Sequence, residues 1–252
     1  MRSAEYAGLL TYNGSGFQAN SVQFDWIGGW NLSGGDQHFV GDFNGDGKDD
    51  VFIRSAEYAG LLTYNGSGFQ ANSVQFDWIG GWNLGAADQH FVGDFNGDGK
   101  DDVFIRSAEY AGLLTYNGSG FQANSVQFDW IGGWNLSGGD QHFVGDFNGD
   151  GKDDVFIRSA EYAGLLTYNG SGFQANSVQF DWIGGWNLGA ADQHFVGDFN
   201  GDGKDDVFIR SAEYAGLLTY NGSGFQANSV QFDWIGGWNL GGGDQHFVGD
   251  FN

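Results

Sequence analysis

The chain has 252 residues, with 47 Gly, 17% aromatic residues, no Pro and no Cys, and it carries 32 acidic against 9 basic side chains for a net charge of −23. That composition excludes a collagen-like or disulfide-stapled chain, and no apolar run reaches the roughly 18 residues that a membrane-spanning helix needs. So small a stock of Lys and Arg also excludes a phosphate-binding surface, which removes nucleic acid as a partner and disfavours anionic membranes.

Arg2, Arg54, Arg106, Arg158 and Arg210 each open the same RSAEYAGLLTYNGSGFQANSVQFDWIGGWNL, so the period is 52 residues. The copies differ only where they read Ser33-Gly34-Gly35, Gly85-Ala86-Ala87, Ser137-Gly138-Gly139, Gly189-Ala190-Ala191 and Gly241-Gly242-Gly243. After Met1 there are four full periods and 43 further residues, so the fifth copy is expected to be divided between the two ends, without the nine residues GDGKDDVFI. Internal repetition takes precedence over any other reading of such a chain. Residues 1–252 therefore read as one repeat domain. Copies this alike fit either a recent amplification or an engineered consensus array. No signal-peptide pattern follows Met1.

Within a repeat, His38 to Phe43 (HFVGDF) alternates like a strand, an acidic loop follows, and Val51 to Arg54 (VFIR) is expected as a second strand. Gly60 to Tyr64 (GLLTY) leads into Asn65-Gly66-Ser67-Gly68, a turn sequence whose Asn-Gly favours the positive φ angles of tight hairpins. Phe69 and Gln70 return from it, and Val74, Phe76 and Trp78 then alternate with polar residues before Gly80-Gly81-Trp82 starts the link to the next repeat. No helical apolar stripe occurs. About four short antiparallel strands per repeat predict an all-β fold, a five-bladed β-propeller of four-stranded antiparallel blades whose closing blade is shared between the termini. Val51, Phe52 and Ile53 in succession suit a sheet covered on both faces. An open solenoid is the alternative, but it needs polar capping repeats and the first and last copies are alike.

The loop Asp42-Phe43-Asn44-Gly45-Asp46-Gly47-Lys48-Asp49-Asp50 places side-chain oxygens at positions 1, 3, 5 and 9, with a backbone carbonyl available from Lys48 at position 7. Ca2+ takes about 6 to 8 hard oxygen ligands, and alternate spacing lets a curling backbone turn successive oxygens inward. Asp42, Asn44, Asp46, Lys48 and Asp50 are the candidate ligands. Their counterparts are Asp94, Asn96, Asp98, Lys100 and Asp102; Asp146, Asn148, Asp150, Lys152 and Asp154; and Asp198, Asn200, Asp202, Lys204 and Asp206. About four Ca2+ ions per chain are thus expected. The loop is not an EF-hand, whose position 12 is a bidentate Glu where Ile53 stands here, and Mg2+ suits an all-protein cage less well. The plain alternative is an acidic, glycine-rich turn that holds no ion.

FVGDFNGDGKDDVFIR, at Phe39 to Arg54, at Phe91 to Arg106 and in two later copies, resembles the FG-GAP and VCBS repeat families of integrin α-chain propellers and PVL-like bacterial and fungal lectins. The resemblance covers every repeat. It implies propeller blades with Ca2+ between their first and second strands, an extracellular setting, and lectin activity. Family members often have seven blades, and five units here are a departure.

His38, His90, His142, His194 and His246 recur once per repeat; such residues are commonly hydrogen-bonded structural groups, and metal ligation is the other reading. Catalysis is not expected, because acid, base and nucleophile need different environments while every residue here recurs in equivalent ones. Trp30, Trp82, Trp134, Trp186 and Trp238 follow a Gly-Gly pair and are the candidates for stacking on a sugar, with packing between blades as the alternative. Two function classes remain open: a multivalent carbohydrate-binding propeller, and a calcium-stabilised scaffold with no other ligand. A monomer is expected, with strand exchange between copies at high concentration.

Overall fold

The computed structural model describes the chain apart from residues 1–5, 25, 28–29, 32–34, 56–57, 77, 80–81, 84, 86, 108–109, 129, 132–133, 136–138, 160–161, 181, 184–185, 188–190, 212–213, 233, 236–237, 240–244, 246–247 and 250–252. Among the described residues there is no helix, so none is long and apolar enough to cross a membrane. The first full sheet runs in chain order through Gln37–Gly41, Asp50–Arg54, Tyr58–Tyr64 and Phe69–Phe76. A second begins with Gln89–Gly93, a third with Gln141–Gly145 and a fourth with Gln193–Gly197, each repeating the same order. Tyr6–Tyr12 and Phe17–Phe24 form a two-stranded sheet. This is the expected all-β propeller blade, repeated every 52 residues. The C-terminal part of the divided blade, expected at 244–251 beside residues 2–31, lies largely outside the described residues.

Two details depart from the sequence reading. Phe69 to Gln70 and Val74 to Phe76 are one continuous strand, because its register against Tyr58–Tyr64 slips between Leu61 and Leu62. Ser73 pairs with Leu61 and Ala71 with Leu62, so Asn72 is the extra residue of a β-bulge. Its amide donates to Thr63 Oγ1 at 2.8 Å. The bulge interrupts the alternation on which a strand assignment depends. Beyond it, the expected link contains a further small pairing, Trp78–Ile79 with Trp82–Asn83, and the same pairing recurs around the other tryptophans.

The turn at Asn65 is closed by its own side chain. Asn65 Oδ1 accepts from the amides of Ser67 at 2.9 Å and Gly68 at 3.1 Å, and only Gly66 takes a positive φ, of 92°. Asn thus acts here by side-chain capping and not through a left-handed backbone.

The described residues group into two compact units, 1–93 with 98–126 and 94–97 with 127–252. In the first unit, Phe43, Phe52, Ala59 and Leu61 of one sheet pack on Val103, Ile105, Leu114, Tyr116 and Phe121 of the next. In the second unit, Phe147, Phe156, Ala163 and Leu165 pack on Val207, Ile209, Leu218 and Phe225. The run Val51-Phe52-Ile53 explains itself in this setting. Successive side chains leave a strand on opposite faces, so Phe52 joins the cluster between sheets while Ile53 and Val51 join a second cluster with Leu62 on the other face.

Candidate metal loops

The acidic loop starts where the first strand of a sheet ends against its neighbour. A Cβ on Gly41 would lie 2.6 Å from Asp101 Oδ2 and 2.8 Å from Val92 Cγ1, so only glycine fits that approach. Asp42 then turns into its own loop. Its Oδ1 accepts from the amides of Gly45 at 2.8 Å and Asp46 at 3.0 Å, and its Oδ2 accepts from Gly47 at 2.8 Å. Asp46 Oδ1 accepts from the Lys48 amide at 3.0 Å, and the Asn44 amide donates to Asp50 Oδ2 at 2.6 Å. Asp146 and Asp198 wrap their loops in the same way, at 2.7 to 3.1 Å. In the loop at 94–102, Asp94 again accepts from Gly97 and Asp98 from Lys100.

Each of these turns carries its predicted ligand positions along nine residues, with Asp42, Asp46 and Asp50 in one loop, but does not converge them on a common point. The carboxylates are tied to backbone amides and to Asn44, and among the described residues no three His, Asp or Glu side chains stand as a ready-made cage. The electrostatics are those of buried and crowded acid. Burial, then the charges of Asp46 and Asp42, push the Asp50 carboxyl up to about 6 against the pull of its Asn44 hydrogen bonds. Burial, then Asp150 and Asp146, push Asp154 up to about 8, and burial, then Asp202 and Asp198, push Asp206 to about 6.

Position 8 of the loop has a role that no ligand pattern reveals. Asp101 reaches back to the preceding repeat: its Oδ2 accepts from the Asp42 amide at 2.7 Å, and its own amide donates to the Asp42 carbonyl at 3.0 Å. Asp153 does the same to Asp94 at 2.8 and 2.9 Å, and Asp205 to Asp146 at 2.9 Å in both directions. Lys100, one residue earlier, lays its stem over Gly45. This clamp couples each loop to its neighbour's. D101A leaves the part-buried Asp42 amide without its acceptor and is expected to cost about 1 to 3 kcal/mol, read from the urea midpoint; a change under a few tenths would show that the clamp is only a contact.

His90 and His194 lie in the joints between sheets, whereas His38 is exposed. His90 is buried with its ring 5.0 Å from Phe39 and 6.1 Å from Phe52, and His194 stands 5.1 Å from Phe143 and 6.3 Å from Phe156. Nearby, Asp88 is buried: burial pushes its carboxyl up, while the Gly85 amide at 2.7 Å and the Arg54 and Arg106 guanidinium groups pull it back. Burial, then the charge of Arg54 or Arg158, lowers His90 and His194 to about 4, partly offset by the backbone at Asp88 and Asp192. A folded-state pKa below the unfolded value of 6.5 means that the unfolded chain takes up the proton first. Stability is therefore lost as pH falls from about 6.5 to about 4, by roughly 3 kcal/mol per histidine. Asp50, Asp154 and Asp206 act in the opposite direction, since raised pKa values give stability that is present at low pH and lost as pH rises through them. The measurement is thus differential. Urea midpoints of wild type and H90Q should diverge by that amount between pH 7 and 4, and parallel curves would exclude a buried neutral His90.

Trp30, Trp82, Trp134, Trp186 and Trp238 each open a two-residue strand, of which the backbone alone is described; their side chains lie outside the described residues.

Four-stranded sheets of one repeat, each with an acidic loop between its first two strands, define a β-propeller repeat protein. The FG-GAP-like repeat family matches residues 42–105, 94–157 and 146–209, together two thirds of the chain, and the chain belongs to that family. The search of curated proteins found no match. Among solved structures, it is similar to an Agrocybe aegerita lectin described as recognising non-reducing terminal N-acetylglucosamine, with a TM-score of 0.60 and 20% identity over 92% of this chain. It is also similar to part of a Photorhabdus luminescens Tc holotoxin pore, with a TM-score of 0.51 and 16% identity over 75% of this chain. The chain spans 66% of the lectin's length and 8% of the toxin's. At these identities the likeness establishes the fold.

Proposed function

We propose that the protein is a multivalent carbohydrate-binding module whose acidic loops each hold a Ca2+ ion. The observation that carries the reading is the likeness of the fold, over 92% of the chain, to a lectin that recognises terminal N-acetylglucosamine. Repetition supports multivalency: linked weak sites gain about 10² to 10⁴ in avidity without any new contact. Trp30, Trp82, Trp134, Trp186 and Trp238 are the residues that would stack on sugar in this reading.

Calcium fits the loops by the chemistry of their donors. Asp42, Asn44, Asp46, the Lys48 carbonyl and Asp50 offer hard oxygen donors, and burial first, then neighbouring carboxylates, raises Asp50, Asp154 and Asp206, a cost of charge that a bound cation would offset. The ion would supply charge balance and a pinned turn, not a reaction. No catalytic role is proposed, and the acidic surface disfavours nucleic acid and anionic membranes.

A glycan array that includes terminal N-acetylglucosamine tests the binding role. Signal competed away by free sugar and weakened in W82A supports it. A blank array, beside a melting temperature that still depends on Ca2+, would leave the second reading: a scaffold in which ions and the Asp101-type clamps serve only to hold repeats together. That reading draws support from the clamps, which join loop to loop.

A further inference from the structure

Two kinds of Asn-Gly pair recur along the chain, one at the hairpin turns, as Asn65-Gly66, and one in the acidic loops, as Asn44-Gly45. In such a pair the glycine nitrogen can approach the asparagine side-chain carbonyl with no Cβ in the way. The two kinds sit in opposite surroundings. At the turn, Asn65 is exposed, and its Oδ1 accepts from the amides of Ser67 at 2.9 Å and Gly68 at 3.1 Å. Its Nδ2 is held by one long hydrogen bond, 3.3 Å, to Gln70 Oε1, and among the described residues nothing accepts from the Gly66 amide. Asn13, Asn117, Asn169 and Asn221 are also exposed and repeat the two-amide cradle at 2.9 to 3.1 Å. In the acidic loop the same pair is tied at both residues. The Gly45 amide donates to Asp42 Oδ1 at 2.8 Å, and Asn44 Nδ2 donates to Asp50 Oδ2 at 2.6 Å. Gly149 and Asn148 are tied to Asp146 and Asp154 at 2.7 Å each.

We infer that the hairpin turns are sites of spontaneous deamidation, with water as the co-reactant, and that the acidic loops are protected from it. The Gly66 nitrogen gives its proton to solvent base and attacks Asn65 Cγ. Negative charge then develops on Oδ1, where the Ser67 and Gly68 amides already point, so the turn supplies its own oxyanion cradle. Collapse breaks the Cγ–Nδ2 bond, Nδ2 takes a proton from water and leaves as ammonia, and a succinimide ring joins Cγ to the Gly66 nitrogen. Water opens that ring at either carbonyl. The product is aspartate or isoaspartate, and each converted turn gains one negative charge. Aspartate can keep the cradle, whereas isoaspartate adds a carbon to the main chain beside the 3.1 Å hydrogen bond from the Asn65 amide to the Gly68 carbonyl. In the loop, Gly45 would have to give up a hydrogen bond to a carboxylate and carry negative charge beside Asp42, Asp46 and Asp50, and both requirements oppose the attack.

Ageing of the intact protein in heavy-oxygen water at mildly alkaline pH, beside the same protein unfolded in urea, tests this. Fragment-ion spectra of tryptic peptides assign the incorporated oxygen to turn or loop. In the folded chain the turns should convert about tenfold or more faster than the loops, since a loop amide must first lose a charge-assisted hydrogen bond. In urea the two kinds should convert at comparable rates. Anion exchange should resolve the aged protein into as many as five added charge steps, one per turn, and N65Q should lose one of them. Loops that keep pace with turns in the folded chain would overturn the inference, as would turns that convert more slowly folded than unfolded.

Discussion

Chelation of divalent cations with EDTA is expected to lower the melting temperature by roughly 20 to 40 °C. The argument starts from the loops. Asp42, Asp46 and Asp50 lie within one nine-residue turn, and the burial that pushes Asp50 up to about 6 means that folding opposes its charge. An ion bound only by the folded chain adds about 2.7 kcal/mol at a free concentration of about 100 times Kd, so four sites add on the order of 11 kcal/mol. That rivals a typical total of about 5 to 15 kcal/mol. For a chain of this size each kcal/mol moves the midpoint by about 2 to 4 °C. Titration calorimetry on the chelated, refolded protein should then read four sites. A melt unchanged by EDTA, in protein that metal analysis shows to be free of calcium, would sink the proposal.

The second large effect comes from asking the same substitution of two copies of one residue. F121A is expected to cost about 3 to 5 kcal/mol, because Phe121 is 3% exposed and its loss leaves a cavity against Phe43 and Phe52. F17A, at a position 76% exposed, is expected to change stability by less than about 0.5 kcal/mol when measured in dilute protein. Urea unfolding of the two variants side by side makes the comparison. Equal costs would mean that Phe17 is covered as Phe121 is.

The lectin reading and the calcium reading stand on different footings and fail separately. Sugar binding could be lost in W82A while the EDTA effect persists, since the tryptophans and the acidic loops occupy different strands and turns. The clamp made by Asp101 links calcium to architecture. An ion that orders the Asp42 loop also holds the backbone amide and carbonyl that Asp101 grips, so loading one loop should stiffen the joint with the next repeat.

The period, the acidic loops and the strands that flank them are legible in the amino-acid order alone. These are local properties. The apolar run Val51-Phe52-Ile53, the turn chemistry at Asn65-Gly66 and the spacing of Asp42, Asn44, Asp46 and Asp50 are each set within a few residues and read the same in the four complete copies. Only the tertiary structure decided what Asp101 does, since its partner Asp42 lies 59 residues away and nothing in the loop marks position 8 as different from a ligand. The bulge at Asn72 escaped for a related reason, because an extra residue breaks the two-residue period through which a strand is recognised. Burial shows the division most plainly. Phe17 and Phe121 sit in the same local sequence, yet one is open and the other enclosed. A residue's neighbours along the chain set its conformation, whereas the sheet across from it sets how much water it loses, and that sheet is supplied by a distant part of the chain.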